Sequence, residues 1–330
     1  MRMGKAKICV TGASGFIGHH LCRYLKERGH WVRAVDYKPP TYPVDVDEAW
    51  WRCDLRSYQN AVDAMHGVEW VFALAADMGG MGFVGSGQHD WTILHDNLTI
   101  NLNTAKAIAS VDYPYRVLYT SSACVYPERL QLDTAARNLQ ESDAWRGIPD
   151  TAYGIEKLSS EQVYTRMAEA EHIGVRITRF HNMYGPECAW RGGREKAPAA
   201  LCRKVAEAKL HSIHKVNVWG DGEQTRSFCC IDDCLEMLYR LMRSEHREPL
   251  NIGTDRLVTI NDLVDMIAAH AGIEVEKVHD LSKPQGVRGR NADLSQMRAV
   301  LDYEPQVSLE DGIGRLYDWV EEQVRENAGS

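Results

Sequence analysis

The sequence predicts an α/β protein with a doubly wound parallel sheet and a smaller, discontinuous C-terminal domain. Short apolar runs alternate with amphipathic helical patterns from Lys7 onwards, which is typical of parallel strands joined by crossover helices. A glycine-rich turn separates the first strand from the first helix. Beyond residue 185 the sequence changes to loops rich in glycine and basic residues, so we expect a second domain there.

The first unit combines a strand over 7–10, a glycine turn, a helix over 16–28 and a strand over 31–35 that ends at Asp36. Strand, glycine turn, helix, strand and acid, in this order, form the Rossmann-type unit that binds dinucleotides. This placement makes the glycine spacing a much stronger indication than the glycines alone.

Each glycine of this turn has a separate predicted role. Gly12 permits the tight turn, Gly15 lets a pyrophosphate approach the helix N-terminus, and Gly18 allows the helix to pack closely on the strand. Asp36 would accept hydrogen bonds from ribose hydroxyls and repel a 2′-phosphate. The sequence therefore predicts NAD as the cofactor in preference to NADP.

The next segments continue the alternation. A short strand is predicted to end at 53–55, further strands are predicted at 68–76 and 116–119, and a helix is predicted at 90–110. Asp54 lies at a strand end, from which it can reach an adenine ring. The glycine- and methionine-rich stretch 78–87 is predicted to be a loop over the active site, because it follows the C-terminal edge of a strand.

The remaining chain supplies both domains. Helices are predicted at 152–170, 199–209, 260–271 and 309–326, strands at 175–179, 216–218 and 249–253, and an extended segment at 275–281. We expect an NAD-binding domain over 1–185, with later returns near 225–258. Residues 186–330 are expected to form mainly the substrate domain.

Composition excludes several classes of protein. The 330 residues carry a net charge of -8, which argues against a nucleic-acid-binding protein. No apolar run approaches the roughly 20 residues of a membrane helix, and no signal peptide is recognisable, so we expect no membrane association and a cytoplasmic protein. The nine cysteines form no C-x-x-C pair and the histidines show no ligand spacing, so no metal site is expected.

Tyr153 and Lys157 lie four residues apart on one predicted helix and therefore share a face. A nearby ammonium is expected to lower the pKa of the Tyr153 phenol, which could then take a proton from a sugar hydroxyl. Ser122, one strand earlier, would polarise the same oxygen. With the glycine turn, this set resembles the short-chain dehydrogenase/reductase superfamily, and the length resembles its extended, nucleotide-sugar-modifying branch.

The residues after Ser122 narrow the chemistry. Dehydratases of this branch carry an Asp-Glu pair there, whereas this chain has Ala123 and Cys124. Simple 4-epimerases need no further acid or base. Once C4 of a sugar is a ketone, the C3 and C5 protons become acidic, and Cys124 as a thiolate could remove one. For most of the nine cysteines, by contrast, a reduced, buried, apolar role is expected.

Several long strings together resemble the GDP-mannose 3,5-epimerase family. They are A-A-D-M-G-G-M-G from Ala75, S-S-A-C-V-Y-P from Ser121, R-F-H-N-M-Y-G-P from Arg179, G-G-R-E-K-A-P-A-A from Gly192 and G-V-R-G-R-N from Gly286. The resemblance implies that Cys124 and Lys196 are an acid/base pair, alongside Ser122, Tyr153 and Lys157. It implies C4 oxidation by tightly bound NAD, inversion at C5 and C3, and re-reduction, giving GDP-L-galactose and GDP-L-gulose.

The resemblance also implies the binding sets. The predicted cofactor contacts are Gly12, Gly15, Phe16, Ile17, Gly18, Asp36, Asp54, Leu55, Ala75, Tyr153 and Lys157. The predicted contacts to the GDP-sugar are Gly79, Ser122, Ala123, Cys124, Asn182, Glu195, Lys196, Ala197, Lys204, Gln224, Thr225, Arg226 and Arg288. A basic pocket for the diphosphate is expected from Arg194, Lys196, Arg203, Lys204, Arg226, Arg288 and Arg290. Family members commonly form homodimers through two helices of each NAD-binding domain, here 90–110 and 153–170.

Two alternatives remain. A GDP-fucose synthase-like epimerase/reductase would share the serine, cysteine and tyrosine, but it consumes NADPH, which Asp36 disfavours. A non-catalytic, NAD-sensing protein on the same fold would be expected to have lost Ser122, Tyr153 or Lys157, and all three are present.

Overall fold

The computed structural model describes residues 4–112, 116–135 and 137–328. The strands, in chain order, are β1 (Lys7–Thr11), β2 (Trp31–Asp36), β3 (Glu48–Trp51), β4 (Trp70–Ala73), β5 (Arg116–Ser122), β6 (Gly174–Phe180), β7 (Met183–Tyr184), β8 (Lys215–Trp219), β9 (Thr225–Arg226), β10 (Cys229–Cys230), β11 (Pro249–Ile252), β12 (Val258–Thr259), β13 (Glu276–Asp280) and β14 (Gly289–Arg290). The helices are α1 (Phe16–Glu27), α2 (Tyr58–Met65), α3 (Met81–Val84), α4 (Asp90–Ser110), α5 (Ala152–Glu171), α6 (Ala197–Leu210), α7 (Ile231–Arg243), α8 (Ile260–Ala271), α9 (Ser295–Leu301) and α10 (Leu309–Ala328).

Seven parallel strands form the central sheet, in the order β11-β6-β5-β4-β1-β2-β3. The strand order reverses at β1, which pairs with β2 on one side and β4 on the other. In such sheets a ligand crevice opens at the C-terminal ends of the strands beside this reversal. The predicted doubly wound α/β fold is confirmed.

Apolar side chains cover both faces of the sheet. Along β1, Ile8 and Val10 point into one core and Cys9 into the other, and all three are fully buried. Burying a side chain such as Val10 contributes roughly 1.5–3 kcal/mol. On α1, Leu21 and Leu25 are buried on one stripe, which fixes the helix and its N-terminus against the sheet.

Small sheets outside the central one bring distant segments together. β9 pairs with β12 and with β14, so residues 225–226 lie beside 289–290. β8 pairs in parallel with β13. The pairing of β9 with β14 places Arg290 directly beside Arg226.

Some predicted boundaries were wrong. The strand predicted to end at 53–55 already ends at Trp51, because Arg52 adopts φ +68 and breaks the ladder. The stretch 78–87 is not entirely loop, since α3 occupies four of its residues. Helices α2, α7 and α9 were not predicted. In the part of the chain described above, no helix is long and apolar enough to cross a membrane.

Candidate active site

A cavity of about 910 Å³ opens at the C-terminal edge of the central sheet. It is lined by residues from the glycine turn, the ends of β2, β4, β5 and β6, and the start of α6. Of the predicted site residues, all but Thr225 and Arg288 line it. The cavity therefore joins the predicted cofactor end to the predicted sugar end.

The turn between β1 and α1 forms the cofactor end. Gly12 adopts φ +68, and a Cβ there would lie 2.9 Å from the Ala75 amide nitrogen. A Cβ on Gly18 would lie 2.1 Å from the Gly12 carbonyl oxygen, so only glycine allows this close packing of α1. Gly15 is exposed and caps α1, leaving bare backbone at a helix N-terminus, which is a good site for a pyrophosphate.

The second element of the cofactor end is Asp36, at the end of β2. Its carboxylate accepts N–H groups from Ser14 at 3.1 Å and Lys38 at 3.0 Å, which fix its orientation at the cavity wall. A carboxylate here can accept ribose hydroxyls and disfavours a 2′-phosphate. The glycine cradle and Asp36 together fit NAD.

Asp54 also lines the cavity, but its carboxylate is already engaged. Arg56 binds it at 2.7 Å, and this hydrogen bond lowers the pKa of Asp54. Arg56 also bonds to Asp96 at 2.8 Å. The three side chains therefore form a charged wall, in which Arg56 was not among the predicted cofactor contacts.

Cys124 lies in a single 3-10 turn, Ala123–Val125, that follows β5 directly. Ser122 caps this turn by accepting the Cys124 N–H at 3.2 Å. A Cβ on Gly154 would lie 2.1 Å from the Cys124 carbonyl oxygen, so α5 packs directly against the turn. Because Tyr153 precedes Gly154, this packing holds the phenol beside the thiol, and the two side chains share one apolar cluster.

The electrostatics of Tyr153 differ from the expectation. Burial raises the pKa of Tyr153 well above its ordinary value, Cys124 adds to the rise, and a hydrogen bond with Ser122 opposes it. Lys157 Nζ donates to the Thr120 carbonyl at 3.0 Å and lies 5.6 Å from the centre of the Tyr153 ring. The expected lowering by Lys157 was wrong for this structure, because burial is the larger effect.

A buried ionic network supports the strand end from below. Arg179 binds both oxygens of Glu161, at 2.8 and 2.7 Å, and Ser121 donates to Glu161 at 2.6 Å. Burial lowers the pKa of Lys157, while Glu156 and Glu161 oppose this shift. Breaking such a buried pair costs about 3–5 kcal/mol, because one charge is left uncompensated. The network thus holds β5 and α5 in register beneath the site.

Arg290 is the functional residue whose position the sequence did not reveal. Its Nη1 donates to Cys124 Sγ at 3.4 Å, and its Nε donates to Gln131. Its Nη2 lies 3.9 Å from Asp150 Oδ2, and Arg290 is buried. Arg290 therefore holds a positive charge in direct contact with the Cys124 sulfur. From the sequence, Arg290 is predicted only to add positive charge to the diphosphate pocket.

Lys196 lies on another segment of the cavity lining. It is the N-cap residue of α6, and its carbonyl accepts the Ala200 N–H at 3.0 Å. Burial lowers the pKa of Lys196, while Cys124 raises it. Lys196 and Cys124 both line the same cavity.

The remaining polar lining provides for a charged ligand. Burial, and then the neighbouring Arg290, lower the pKa of Arg226 to about 9, so an anion here would be strongly favoured. Lys204 Nζ donates to the Asn217 carbonyl at 2.7 Å, and Asn182 Nδ2 donates to the Ser227 carbonyl at 2.9 Å. The Oε1 atom of Gln224 is buried without a partner.

Two predicted substrate contacts point elsewhere. Thr225 donates its hydroxyl to the Thr134 carbonyl at 2.6 Å. Arg288 bonds to Asp221 at 2.9 Å, and this hydrogen bond raises the pKa of Arg288. Arg288 and Arg290 flank a single glycine but have different partners, because Arg288 is held by Asp221 whereas Arg290 reaches Cys124.

A histidine cluster borders the cofactor end. One ligand atom each from His19, His20 and Glu187 lies within 4.8 Å of the others. Glu187 Oε2, however, already bonds to Arg23 at 2.8 Å and to His19 at 2.9 Å. The cluster is thus an ion-pair network joining α1 to the loop after β7.

Comparison with known proteins identifies the family of this chain. Residues 8–253 match the NAD dependent epimerase/dehydratase family. The chain belongs to this family. Its enzyme class and its NAD cofactor, both predicted from the sequence, are confirmed.

Individual members of the NAD dependent epimerase/dehydratase family sharpen the comparison. GDP-mannose 3,5-epimerase of Arabidopsis thaliana is 43% identical over 321 residues, covering 96% of this chain and 83% of that protein. GDP-L-fucose synthase 1 of the same organism is 28% identical over 328 residues, covering 95% and 93%. The structure of UDP-glucuronic acid 4-epimerase from Bacillus cereus, with UDP-glucuronic acid and NAD, superposes with a TM-score of 0.79 at 26% identity, covering 96% and 99%. The predicted resemblance to GDP-mannose 3,5-epimerases is confirmed.

Proposed function

We propose that this chain is a GDP-mannose 3,5-epimerase, which converts GDP-D-mannose to GDP-L-galactose and, when only C5 inverts, to GDP-L-gulose. The observation that carries the proposal is the placement of Cys124 and Lys196 on the same cavity as Ser122, Tyr153 and Lys157. An enzyme that only oxidises and re-reduces C4 needs the last three residues and has no use for a thiol and amine pair.

The reaction at C4 uses Ser122, Tyr153 and Lys157. When bound, NAD supplies the transient oxidation of C4 and its later reversal. Tyr153 Oη exchanges a proton with the C4 oxygen, and Ser122, hydrogen-bonded to the phenol, orients that oxygen. Lys157, fixed by the Thr120 carbonyl, keeps a positive charge near the phenol and can bond to the nicotinamide ribose.

Inversion then needs one group on each face of the ring. Cys124 Sγ, with Arg290 against it, removes the C5 proton as a thiolate. Lys196 Nζ delivers a proton to the opposite face, and its burial makes it a stronger acid than an exposed lysine. Cys124 then loses its proton to solvent and Lys196 regains one from solvent, and after a ring flip the restored pair acts at C3. No net redox change results, so NAD is not consumed.

The nucleotide part of the substrate meets the basic lining. The desolvated Arg226 guanidinium is suited to a diphosphate, and Lys204 adds a second cation nearby. Asn182, Glu195 and Gln224 offer polar groups on the same wall. Contacts through Thr225 and Arg288 would require these two side chains to leave their present partners.

The GDP-fucose synthase-like alternative is disfavoured by two features. Asp36 opposes the 2′-phosphate of NADPH, and the chain is 28% identical to GDP-L-fucose synthase 1 against 43% to GDP-mannose 3,5-epimerase of the same plant. The intact set of Ser122, Tyr153 and Lys157 argues against a non-catalytic NAD sensor.

We also propose a domain division, an oligomeric state and a location for this chain. An NAD-binding domain over 1–185 with a return near 225–258, and a substrate domain mainly over 186–330, are supported by β11 lying in the central sheet. A homodimer through α4 and α5 is supported by the exposed Trp91, Leu102 and Ile155 on these helices and is tested by sedimentation. A cytoplasmic location rests on the sequence alone.

Product analysis tests the proposed activity. The purified protein is incubated with GDP-mannose without added cofactor, and the sugars are identified by NMR after hydrolysis. L-Galactose and L-gulose are expected, with mannose remaining at equilibrium. A protein that returns only mannose, or a sugar inverted at C4, would reject the proposal.

A further inference from the structure

The segment that carries Lys196 is attached to a loop from the other side of the cavity. Arg194 donates to the carboxylate of Asp77 and, at 3.1 Å, to the Met78 carbonyl. Its guanidinium also stacks on the Phe83 ring, 3.9 Å from the ring centre. We call these four residues the Arg194 clasp. The clasp joins the loop after β4 to a residue that lies two positions before Lys196.

The two backbones also meet directly. The Gly80 N–H donates to the Arg194 carbonyl at 3.1 Å. A Cβ on Gly80 would lie 2.3 Å from the Glu195 carbonyl oxygen. Gly80 has ordinary extended φ, so this position requires glycine for space and not for backbone conformation. The loop and the Lys196 segment are therefore in contact along their main chains as well as through Arg194.

The inner side of the same loop touches the other half of the chemistry. Phe83 and Val84 are buried in one cluster with Tyr153, and Met78, Met81 and Cys124 pack against it. One short loop thus contacts the Cys124 and Tyr153 side of the cavity and also holds the segment of Lys196. A shift of this loop would change the distance between the two acid/base groups.

We propose that Arg194 is a positioning residue that sets Lys196 opposite Cys124 for proton delivery. This inference rests on the proposed epimerase function. A lysine at a helix N-cap has a long, flexible side chain, so its reach depends on where its backbone is held. Misplacing a reacting group by about 1 Å costs on the order of 10²-fold in rate. Arg194 itself lies two residues from the acting amine and need not touch the sugar.

The clasp is suited to experiment because its loss should not unfold the protein. The side chains of Arg194 and Asp77 are 42% and 34% exposed. Exposed ion pairs contribute little to folding stability. A variant of Arg194 therefore separates a role in positioning from a role in stability, and thermal unfolding and NAD content verify this for each preparation.

The test compares two steps of the same enzyme. Arg194→Gln is mixed with GDP-mannose in D₂O. C4 oxidation is followed by the absorbance of the reduced cofactor, and proton exchange by deuterium at C3 and C5. We expect exchange to fall by about 10- to 100-fold, while the C4 signal is kept or increases. Arg194→Lys retains the charge but loses the planar fork, and should recover part of the exchange.

A second variant displaces the segment that carries Lys196 without changing the charge of the protein. Gly80→Ala should push Glu195 and Lys196 away and reproduce the split between the two steps. The control is Gly82→Ala in the same loop. Its Cβ would lie 3.2 Å from the exposed Trp219 ring and 3.8 Å from the Gly193 carbonyl oxygen, and the second distance is an ordinary van der Waals contact that need not move the backbone. Arg191→Gln is the control for loss of a nearby arginine, because Arg191 stacks on Trp190 outside the clasp. Both controls should behave as the wild type.

The outcomes are distinguishable. Loss of exchange with retained C4 oxidation in both Arg194→Gln and Gly80→Ala supports the inference. If C4 oxidation and deuterium exchange fall together in these variants, or if neither changes, the positioning role of Arg194 is overturned. The proposed function still stands in that case, provided that the wild type exchanges deuterium at C3 and C5. A wild type without deuterium at C3 and C5 rejects the proposed function and the inference together.

Discussion

The two ends of the cavity are built by different means. At the cofactor end, the contact between Ser14 and Asp36 joins residues 22 positions apart within one strand–turn–helix unit. At the sugar end, Arg290 reaches Cys124 across 166 positions, and Lys196 arrives from a third segment. The cofactor end is specified by local backbone geometry, whereas the acid/base end depends on how distant loops dock. Mutations should therefore act on binding at one end and on chemistry at the other.

The strongest test of this contrast is Cys124→Ala. Deuterium uptake at C3 and C5 should fall by about 10²–10⁴-fold, the usual contribution of a positioned acid or base. C4 oxidation should continue, since Ser122 and Tyr153 are unchanged. Cys188→Ala is the matched control, because Cys188 also lines the cavity but burial raises its pKa to about 12. Loss of exchange in both variants would contradict the assignment.

A pair of neighbouring arginines gives the next largest effect. Arg290→Lys removes the planar fork that contacts Cys124 and Gln131, and should lower kcat by roughly 10- to 100-fold. Arg288→Lys alters a partly exposed pair with Asp221, an interaction worth about 0–1 kcal/mol, and should have a much smaller effect. Steady-state kinetics with GDP-mannose measures kcat for both variants. Equal losses of kcat would show that Arg288 also reaches the substrate.

At the cofactor end, Gly18→Ala should act on binding and stability. The new Cβ would lie 2.1 Å from the Gly12 carbonyl oxygen, so α1 must shift away. Overpacking of this kind costs about 1–3 kcal/mol. We expect a lower unfolding temperature and less co-purified NAD. Normal NAD content and stability would show that the turn tolerates the methyl group.

The pH dependence of exchange tests Lys196 and gives the smallest expected effect. Lys196 must be an ammonium to deliver a proton, and burial lowers its pKa below the ordinary 10.5. As pH rises through this lowered pKa, the ammonium is lost and exchange should fall by about tenfold per pH unit. The alkaline limb should thus lie below pH 10.5 in a profile of deuterium uptake. A limb at or above that value would mean that Lys196 is not the acid.

The cofactor end could be predicted from the sequence because the residues that form it are close together along the chain. The roles of Gly12, Gly18 and Asp36 follow from spacing within one supersecondary unit. The pairing of Tyr153 with Lys157 follows from helical periodicity, although their electrostatics did not, since burial is a property of the whole fold. The end of β3 was misplaced because a positive φ at Arg52 leaves no signal in the sequence.

The sugar end was reached only in part. Cys124 and Lys196 were identified by a resemblance of several strings, and the cavity then brought both to one place. The contact of Arg290 with Cys124 was not predictable, because it depends on the pairing of β14 with β9. In the folded chain Arg290 contacts the thiol, whereas Arg288, two positions earlier, is held by Asp221. A sequence shows that both arginines exist but not which way each points.

Solvent exchange without added cofactor tests the central claim most directly. The wild-type protein is incubated with GDP-mannose in D₂O, and the recovered sugars are examined by NMR while the cofactor is followed by absorbance. The account predicts deuterium at both C3 and C5 with no net change in NAD. Deuterium at neither carbon, or stoichiometric consumption of a reduced cofactor, would contradict it.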